Sequence, residues 1–397
     1  MFRKRFTLVA LLAAFVLVAA ACGDDEGGGT TTTAAPQQTT TTVAATTTTA
    51  PPATTTTTVA VTTPTTLPEE PVLGCQVSDV AGIDDKSFNE TAWKGMEQAE
   101  AEYGMQVEFL ESNDATDYRP NIDAFIDQGC NIIITVGFLL ADDTAAAAKD
   151  NPDQKFSIID FPVGPFPPWQ LEGEDAPPSN VRGLNFNTNE AAFLAGYLAA
   201  GMTQTSVIGT FGGINIPPVT VFMDGFMRGA AQYDSVHGTS TTVLGWNGTD
   251  GLFTGNFESK DDGRSFAQNL MDEGADIILP VAGPVGLGSG AAIQEANAAG
   301  GSVMMIGVDA DMFFSAPELG GILLTSIMKN MDSAVFNTIT NVIFLDSLGN
   351  EYFGSLDNDG VGLAPFHDFD GAVPQALKDE LTQLRSDIIA GTVATSG

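Results

Sequence analysis

The stretch GCQVSDVAGIDDKSFN, residues 74–89, decides the fold of this chain of 397 residues. Its first half, 74–80, is an apolar run typical of a buried strand, and the half rich in Gly, Asp and Ser that follows is typical of a loop. Apolar residues then recur with helical period over 89–103, and a second apolar run fills 106–110. A strand, a helix and a strand in this order predict a parallel β-α-β unit.

The same alternation continues along the chain. Apolar runs bounded by turn residues predict further strands over 131–136, 155–160, 206–210, 276–281 and 302–308. Helical periodicity predicts further helices over 119–128, 144–151, 190–202, 218–231, 263–272 and 288–299. The pattern from residue 72 onward is longer than one sheet usually carries, so we expect an α/β fold of two doubly wound lobes. Such sheets bind ligands at the carboxyl ends of their strands, where polar residues are the first candidates.

The N-terminal residues 1–21 resemble an export signal. A basic triplet at residues 3–5 precedes an apolar run that ends in small residues and is too short for a permanent membrane span. Val18-Ala19-Ala20-Ala21-Cys22 resembles the lipobox of bacterial lipoproteins, although Leu or Val is usual at the second position. We therefore expect a lipid on Cys22 and a protein anchored to the extracytoplasmic face of the cell membrane. Ordinary cleavage at the same alanines is the alternative.

Residues 22–70 are expected to form a disordered tether behind that cysteine. Positions 23–68 contain no Lys, Arg or aromatic residue and are dominated by Thr, Ala and Pro. Such a segment cannot bury enough apolar area to offset the entropy that ordering costs. A long tether suits an anchored protein whose binding head stands clear of the membrane.

Charge and cysteine content exclude several classes of function. The formal net charge is −35, with 50 acidic against 15 basic residues. Nucleic acid and anionic membrane surfaces are therefore poor electrostatic partners. Three Cys and two His, widely spaced, supply no zinc motif. Neither G-x-G-x-x-G after a strand nor a P-loop occurs, so we expect no cofactor and no metal.

Several blocks of sequence, in order, resemble one family. Residues 78–89 are similar to the opening TD-x-G-x-[IV]-DDKSFN of the basic membrane protein family, also called the purine nucleoside receptor family. Its members are lipoprotein substrate-binding components of ABC importers. Seven further blocks follow in the same order, at 137–142, 151–156, 190–197, 217–226, 274–276, 307–311 and 325–329. The resemblance covers nearly all of 72–397.

The resemblance implies a type I periplasmic binding protein, in which two Rossmann-like lobes are joined by three crossovers. We expect 72–185 with 325–345 in an N-terminal lobe, and 186–324 with 346–397 in a C-terminal lobe. The implied function is capture of a small molecule, a purine nucleoside first of all, by a monomer that delivers it to ABC permease subunits without catalysis. A free base, a sugar or a signalling molecule is the alternative ligand.

The resemblance also implies roles for single residues around the base. Phe88 and Phe222 take the positions that stack on its two faces, where offset π contacts add to burial. Asp79 takes a position that contacts the base, and Asn89 can donate and accept along the mixed edge of a purine. The alternatives are a turn or helix cap for the two polar residues and core packing for the two rings.

Further implied contacts come from later strand ends. Asp142 takes a position that hydrogen-bonds the base, although its neighbour Asp143 is an alternative contact and either carboxylate can simply be solvated. Asp309 and Lys329 resemble the pair that binds the ribose. A carboxylate accepts charge-assisted bonds from vicinal hydroxyls, and an ammonium donates to the same oxygens.

A second interpretation of the first block is an enzyme, a nucleoside hydrolase. Such enzymes open with D-x-D-x-G-x-D-D, whose aspartates bind calcium that activates a water molecule. Alignment on residues 82–85 puts Ser78 and Val80 where the first two aspartates belong. Half of the carboxylates that a hard cation needs are then missing, which favours the binding protein.

We expect Cys75 and Cys130 to form a disulfide. Export places them in an oxidising compartment, and Cys22 is assigned to the lipid. In a lobe with strand order 2-1-3 the two cysteines lie at the amino ends of neighbouring strands. Such strands are about 4.8 Å apart, which is close to the Cα separation that a disulfide accepts. A pair of small buried hydrophobes is the alternative.

Other features have no assigned chemistry. Residues 161–180 carry six prolines and Trp169 in an enlarged loop, which either shapes the cleft or decorates the surface. Residues 283–288 are Gly-rich and open a helix, but no cation accompanies them for a phosphate. His237 and His367 have no Ser or Cys partner in a recognised spacing, and we expect structural or surface roles for them.

Overall fold

The computed structural model describes residues 71–170 and 177–396. The predicted export signal, Cys22 and tether lie outside these residues. The described strands form two six-stranded sheets. The first contains β1 (Leu73–Val77), β2 (Gln106–Leu110), β3 (Ile132–Val136), β4 (Phe156–Ile159), β5 (Val181–Phe186) and β11 (Tyr352–Gly354). The second contains β6 (Val207–Gly212), β7 (Thr242–Leu244), β8 (Ile277–Val281), β9 (Met304–Asp309), β10 (Leu323–Lys329) and β12 (Val361–Leu363).

Both sheets have the doubly wound strand order. The order is β2-β1-β3-β4-β5-β11 in the first and β7-β6-β8-β9-β10-β12 in the second, so each repeats the pattern 2-1-3-4-5 and adds one edge strand. All strand pairs are parallel except that of β10 with β12. The predicted fold class is confirmed.

Helices cover both faces of each sheet. On the first, α2 (Tyr118–Gln128) and α3 (Ala141–Asp150) pack on one face, and α1 (Phe88–Tyr103) and α9 (Met331–Leu345) on the other. On one face of the second sheet lie α4 (Thr188–Met202), α5 (Pro217–His237) and α10 (Gln375–Ile389). On its other face lie α6 (Lys260–Asp272), α7 (Val285–Ala298) and the short α8 (Met312–Ser315). Because both faces are covered, central strands such as the wholly buried Ile-Ile-Ile-Thr-Val of β3 are almost continuously apolar.

The chain passes between the lobes three times: after β5, after β10, and between β11 and β12. Hydrogen bonds tie these crossovers together. The amide of Asn187 donates to the carbonyl of Gly354 at 2.7 Å, and that of Asn330 to the carbonyl of Gly360 at 3.0 Å. The three connections therefore form one joint between the lobes.

The lobe boundaries differ from the predicted ones at two strands. Residues 325–329, expected in the first lobe, belong to β10 and hydrogen-bond to β9 in the second sheet. Conversely, β11 lies in the first sheet beside β5, although 346–397 were expected in the second lobe. The strands β5, β7, β10, β11 and β12 and the helices α8, α9 and α10 were not among the predicted elements. Three of those strands have three residues, too few to show a periodicity, and α9 is apolar around most of its circumference.

Glycines bring α5 close to α4. A Cβ atom at Gly196 of α4 would overlap the backbone carbonyl of Phe226 in α5, and one at Gly229 of α5 would overlap that of Phe193 in α4. The two helix backbones therefore touch directly. This contact fixes α5, whose Phe222 faces the gap between the lobes.

A disulfide joins Cys75 and Cys130, whose Cα atoms are 6.1 Å apart. Cys75 lies in β1, opposite Ile133 of the neighbouring β3, and Cys130 lies two residues before the start of β3. Both side chains are buried in the core that α2 and α3 form with the first sheet.

We expect this disulfide to stabilise the fold without affecting ligand binding. It links residues separated by 55 positions, for which the chain-entropy model gives roughly 4 kcal/mol. The double variant Cys75→Ala/Cys130→Ala should therefore have a lower Tm than the wild type and the same Kd for the ligand. Peptide mapping after alkylation of the denatured protein should find both thiols only after reduction. Two free thiols in the unreduced protein would contradict the bridge.

Candidate functional site

One cavity lies between the lobes, where the carboxyl ends of both sheets meet. Its walls come from the segments after β1, β3 and β4 in the first lobe, and from the ends of β8, β9 and β10 with the start of α5 in the second. This is the position at which doubly wound sheets bind ligands. The polar and aromatic lining residues are Asp79, Asp85, Phe88, Phe138, Asp160, Phe222, Phe257, Asp309 and Lys329.

The ammonium group of Lys329 lies at the centre of these lining residues. Lys329 ends β10 and is 2% exposed. Its Nζ lies 2.7 Å from Oδ2 of Asp160, which follows β4 in the first lobe, and 3.8 Å from Oδ1 of Asp309 at the end of β9. The buried cation therefore faces carboxylates from both lobes, which offset the cost of removing it from water.

Both of these aspartates have left-handed backbones. The φ angle is 69° at Asp160 and 68° at Asp309. This conformation costs free energy for any residue with a Cβ, although Asp tolerates it better than most. Asp309 also accepts a hydrogen bond of 2.9 Å from the hydroxyl of Ser87, in the opposite lobe. Burial raises the pKa of Asp309, and Lys329 and Ser87 partly offset that rise.

Aromatic rings surround the same ammonium. Its Nζ lies 4.9 Å from the ring centroid of Phe88 in the first lobe and 5.4 Å from that of Phe222 in the second. Phe186, at the end of β5, is 5.7 Å away. These distances permit cation–π contacts. The two predicted stacking residues, one from each lobe, therefore both lie close to the predicted ribose-binding lysine.

Asp79 lies two residues beyond β1 and has two distinct carboxylate oxygens. Oδ1 accepts from the backbone of Ala81 at 3.0 Å and from Nδ2 of Asn89 at 2.7 Å. Oδ2 accepts no hydrogen bond from the described residues. Burial raises the pKa of Asp79 to about 6, against the lowering effect of those two donors. Oδ1 thus stabilises the turn after β1, which is the role that the alternative to a ligand contact gave Asp79. Oδ2 is available to a ligand.

Asn89, predicted to contact the ligand, does not line the cavity. It is fully buried, and its Nδ2 donates to Asp79 and, at 3.3 Å, to Asp85. Its amide nitrogen is occupied by these two carboxylates, so Asn89 orients Asp79 instead of facing the gap between the lobes.

Asp142 is the other predicted residue that is not part of the cavity wall. It lies exposed in the first turn of α3, where a carboxylate is stabilised by water and by the helix dipole. Its neighbour Asp143 is partly buried, which raises the pKa of its carboxyl group, and it does not line the cavity either.

In the pair Asp84 and Asp85, the second residue has a structural role. Asp84 is exposed, whereas the Asp85 carboxylate accepts from the backbone amides of Ser87, Asn89 and Glu90 at 2.8–3.1 Å and so caps α1. Burial raises the pKa of Asp85 to about 7. Both oxygens of Asp85, one of the carboxylates that a hydrolase would use for calcium, here accept hydrogen bonds from the start of a helix.

Four of the polar and aromatic cavity residues were not among the predicted ligand contacts: Asp85, Phe138, Asp160 and Phe257. Asp160 ends a predicted strand, so the rule that polar residues at strand ends are candidates identifies it, but no resemblance pointed to it. Phe138 lies in the block 137–142 that was quoted for the resemblance, four positions before Asp142, the residue chosen from that block.

The remaining candidate features lie at different distances from the cavity. Gly283 and Pro284 of the Gly-rich loop line it. His237 pairs with Glu380 at 2.9 Å, between α5 and α10. His367 pairs with Asp311 at 2.9 Å and stacks on a neighbouring Phe ring. Neither histidine lines the cavity. Among the described residues, no helix combines the length and the apolar character needed to cross a bilayer.

Comparison with known proteins identifies the family. The family model Bmp, described as ABC transporter substrate-binding protein PnrA-like, matches residues 74–394. Basic membrane protein A of Borreliella burgdorferi is 31% identical over 326 residues, which cover 80% of this chain and 87% of that protein. The ABC transporter nucleoside-binding protein BmpA of Lactococcus lactis is 29% identical over 336 residues, with the same two coverages.

A solved structure agrees with the fold. An ABC transporter solute-binding protein from Aeropyrum pernix superposes with a TM-score of 0.71 at 24% identity, over 82% of this chain and 93% of that one. The chain therefore belongs to the Bmp family of ABC transporter substrate-binding proteins, as the sequence blocks predicted.

The raised pKa of Asp79 predicts an effect of Asp79→Asn on the pH dependence of stability. The pKa rises from an ordinary 3.8 to about 6 on folding. A carboxyl group of this kind stabilises the fold at pH values below its unfolded pKa, and the contribution is lost as the pH rises through its folded pKa. The wild type should lose on the order of 2 to 3 kcal/mol between pH 4 and 7 that the variant keeps.

Urea titrations of the ligand-free proteins measure this effect. The free energy of unfolding of Asp79→Asn minus that of the wild type should rise with pH over this window and level off above it. A difference that does not change with pH would show that Asp79 is not the group that titrates.

Proposed function

We propose that this Bmp-family protein is a lipid-anchored receptor that captures a purine nucleoside between its lobes and delivers it to an ABC permease. One observation carries the proposal. A single cavity presents an aromatic ring from each lobe next to a buried ammonium–carboxylate cluster. These two environments match the two halves of a nucleoside, a flat base and a hydroxylated sugar.

The base fits between Phe88 and Phe222. Both rings lie within 5.4 Å of Lys329 but in opposite lobes, so closing the lobes brings them towards a ligand from two sides. Offset stacking on an aromatic ring contributes about 0.5 to 1.5 kcal/mol beyond burial. Asp79 lines the same cavity, and its Oδ2 is available to accept a hydrogen bond from an N–H group of the base.

The ribose fits against Asp309 and Lys329. Vicinal hydroxyls donate to a carboxylate in charge-assisted bonds, and the ammonium can donate to the same oxygens. Asp160 holds the ammonium at 2.7 Å from the first lobe, so that its orientation is set before the ligand arrives. Such preorganisation reduces the entropy that binding would otherwise cost.

The charge of the cavity favours a nucleoside over a nucleotide. Among the described residues that line it there are four aspartates and one lysine, and the lysine is already paired. A phosphate group would meet uncompensated negative charge at short range. The name of the Lactococcus lactis relative, a nucleoside-binding protein, supports the same ligand class for this chain.

We expect inosine, guanosine or adenosine to bind with a Kd in the micromolar range or below, about −8 kcal/mol or better. Titration calorimetry with inosine, hypoxanthine, ribose and inosine monophosphate separates the ligand classes. Mass spectrometry of the recovered ligand distinguishes binding from hydrolysis. Tight binding of ribose alone, or cleavage of inosine, would contradict the proposal.

The role of Asp309 is tested by Asp309→Ala and Asp309→Asn. Loss of charge-assisted bonds of about 1.5 to 3 kcal/mol predicts weaker binding of inosine by roughly 10- to 100-fold, with little change for hypoxanthine. Asp346→Asn is the matched control, because Asp346 also has a positive φ but is exposed and remote from the cavity. Equal losses for inosine and hypoxanthine would rule out the ribose contact.

The anchor is tested separately at Cys22, which lies outside the described residues. We expect Cys22→Ala to move the protein from the membrane fraction to the medium, or to leave its precursor unprocessed. The reason is that the cysteine is the only attachment point the proposal provides. Cell fractionation followed by immunoblotting measures the distribution, and a variant that stays fully membrane-bound and processed would exclude the lipid anchor.

A further inference from the structure

We propose that residues 161–170 are a rigid buttress that positions Phe138 and Asp160 on the first-lobe wall of the cavity, and that Trp169 is the positioning residue on which it depends. The inference deepens the proposed function and takes the probe ligand from it. The segment is the start of the proline-rich loop whose role the sequence left open.

A row of aromatic rings connects the cavity to the core of the first lobe. Phe138 lines the cavity, and its ring centroid lies 4.7 Å from that of Phe161. Phe161 in turn contacts Trp169 edge to face, at 5.7 Å and 76°. Trp169 is completely buried in the core that also contains the disulfide. The row therefore starts at a surface that a ligand touches and ends in the packed interior.

Hydrogen bonds hold the segment at both ends. The indole Nε1 of Trp169 donates to the carbonyl of Pro162 at 2.8 Å, which closes the segment into a loop. The amide of Val163 donates to Oε1 of Glu351 at 2.8 Å, and the other oxygen of Glu351 accepts from Gly183 in β5 at 3.0 Å. The loop is thus fastened to its own backbone and to the sheet.

Proline limits the freedom of the remaining backbone. Four of the ten residues are prolines, at 162, 165, 167 and 168. Each fixes its φ angle, and this lowers the entropy of the unfolded chain more than that of the folded loop. Phe166 of the segment is 39% exposed, whereas the indole of Trp169 is completely buried, so the segment is anchored at Trp169 and the prolines stiffen the backbone that leads to it.

The same segment also affects the ion pair between Asp160 and Lys329 in the cavity. Phe161 directly follows Asp160, whose backbone is already strained at a φ of 69° and whose carboxylate binds Lys329. If the Phe161 ring shifts, Asp160 is free to relax, and the ammonium then loses its nearer partner. A buried ion pair that loses one partner leaves an uncompensated charge. The buttress therefore controls an aromatic wall and an ion pair together.

The binding test uses the full-length protein and inosine as the probe. Trp169→Leu should weaken inosine binding by roughly 5- to 20-fold, and Trp169→Phe, which keeps a ring against Phe161, should recover most of it. In a cycle with Phe138→Leu, the double variant should lose less than the product of the two single losses, because both changes remove one connected contact. If the two losses of affinity simply multiply, Trp169 and Phe138 act independently, which contradicts the proposed connection.

The matched control is Phe336→Leu. Phe336 stacks on Tyr103 at 5.5 Å on the opposite face of the same sheet and does not line the cavity. It should lower Tm, as Trp169→Leu does, but leave the Kd for inosine within about twofold. If Trp169→Leu lowers Tm and likewise leaves the Kd unchanged, the segment is ordinary core and the proposal is overturned.

Hydrogen exchange of the ligand-free protein separates this proposal from the proposed function. Trp169→Leu should speed exchange at residues 137–141, and Phe336→Leu should not. If the wild type fails to bind inosine, the nucleoside proposal fails, and the buttress is then judged on exchange alone. Faster exchange at 137–141 supports the buttress under that outcome, and unchanged exchange overturns it.

Discussion

The buried ammonium of Lys329 is the group on which the rest of the site depends. Removing an ion from water costs several kcal/mol, and that cost is offset only where paired charges and hydrogen bonds replace the water. Asp160 supplies the short contact from the first lobe and Asp309 the longer one from the second. The charge balance is thus completed only when both lobes contribute. The rings of Phe88, Phe186 and Phe222 add further contacts to the same cation and keep water away from it.

Two parallel sheets with the same strand order explain why these groups meet. In such a sheet every central strand ends at the same edge, so the residue that follows each strand faces its counterparts from the neighbouring strands. Asp79, Asp160, Asp309 and Lys329 all lie at this edge, each as the last residue of a strand or within two residues beyond it. Burial of these carboxylates is costly and raises the pKa of Asp79 and of Asp309, and neighbouring carboxylates add to the rise. A ligand with hydroxyl and N–H donors relieves this cost, whereas an anion increases it.

Sequence reasoning succeeded where a local pattern determines the outcome. Long apolar runs and helical periods identified the central strands and most helices, and the resemblance selected Phe88, Phe222, Asp79, Asp309 and Lys329 for one cavity. It was incomplete where a contact in the folded chain decides which group a side chain meets. Asn89 has the right chemistry for a purine, but Asp79 and Asp85, ten and four positions before it, bind its side-chain nitrogen once the loop is folded. Asp160 ends a predicted strand and was a candidate by that rule, but its partner Lys329 is 169 positions away, so neighbouring residues do not reveal the contact. The short edge strands depend on pairing, not on their own residues.

The joint between the lobes adds a constraint on how the cavity closes. Phe186 is the last residue of β5 and Lys329 the last of β10, so both precede a crossover directly. The crossovers are tied to one another through Asn187 and Asn330. A rotation about this joint displaces nearby groups less than distant ones. Lys329 therefore moves less than the lobe surfaces farther from the joint, so the end of the cavity at Lys329 can be set before those surfaces close. A stiff first-lobe wall behind Phe138 fits this order, because a wall that closes on a ligand binds it tightly only when the wall itself does not yield.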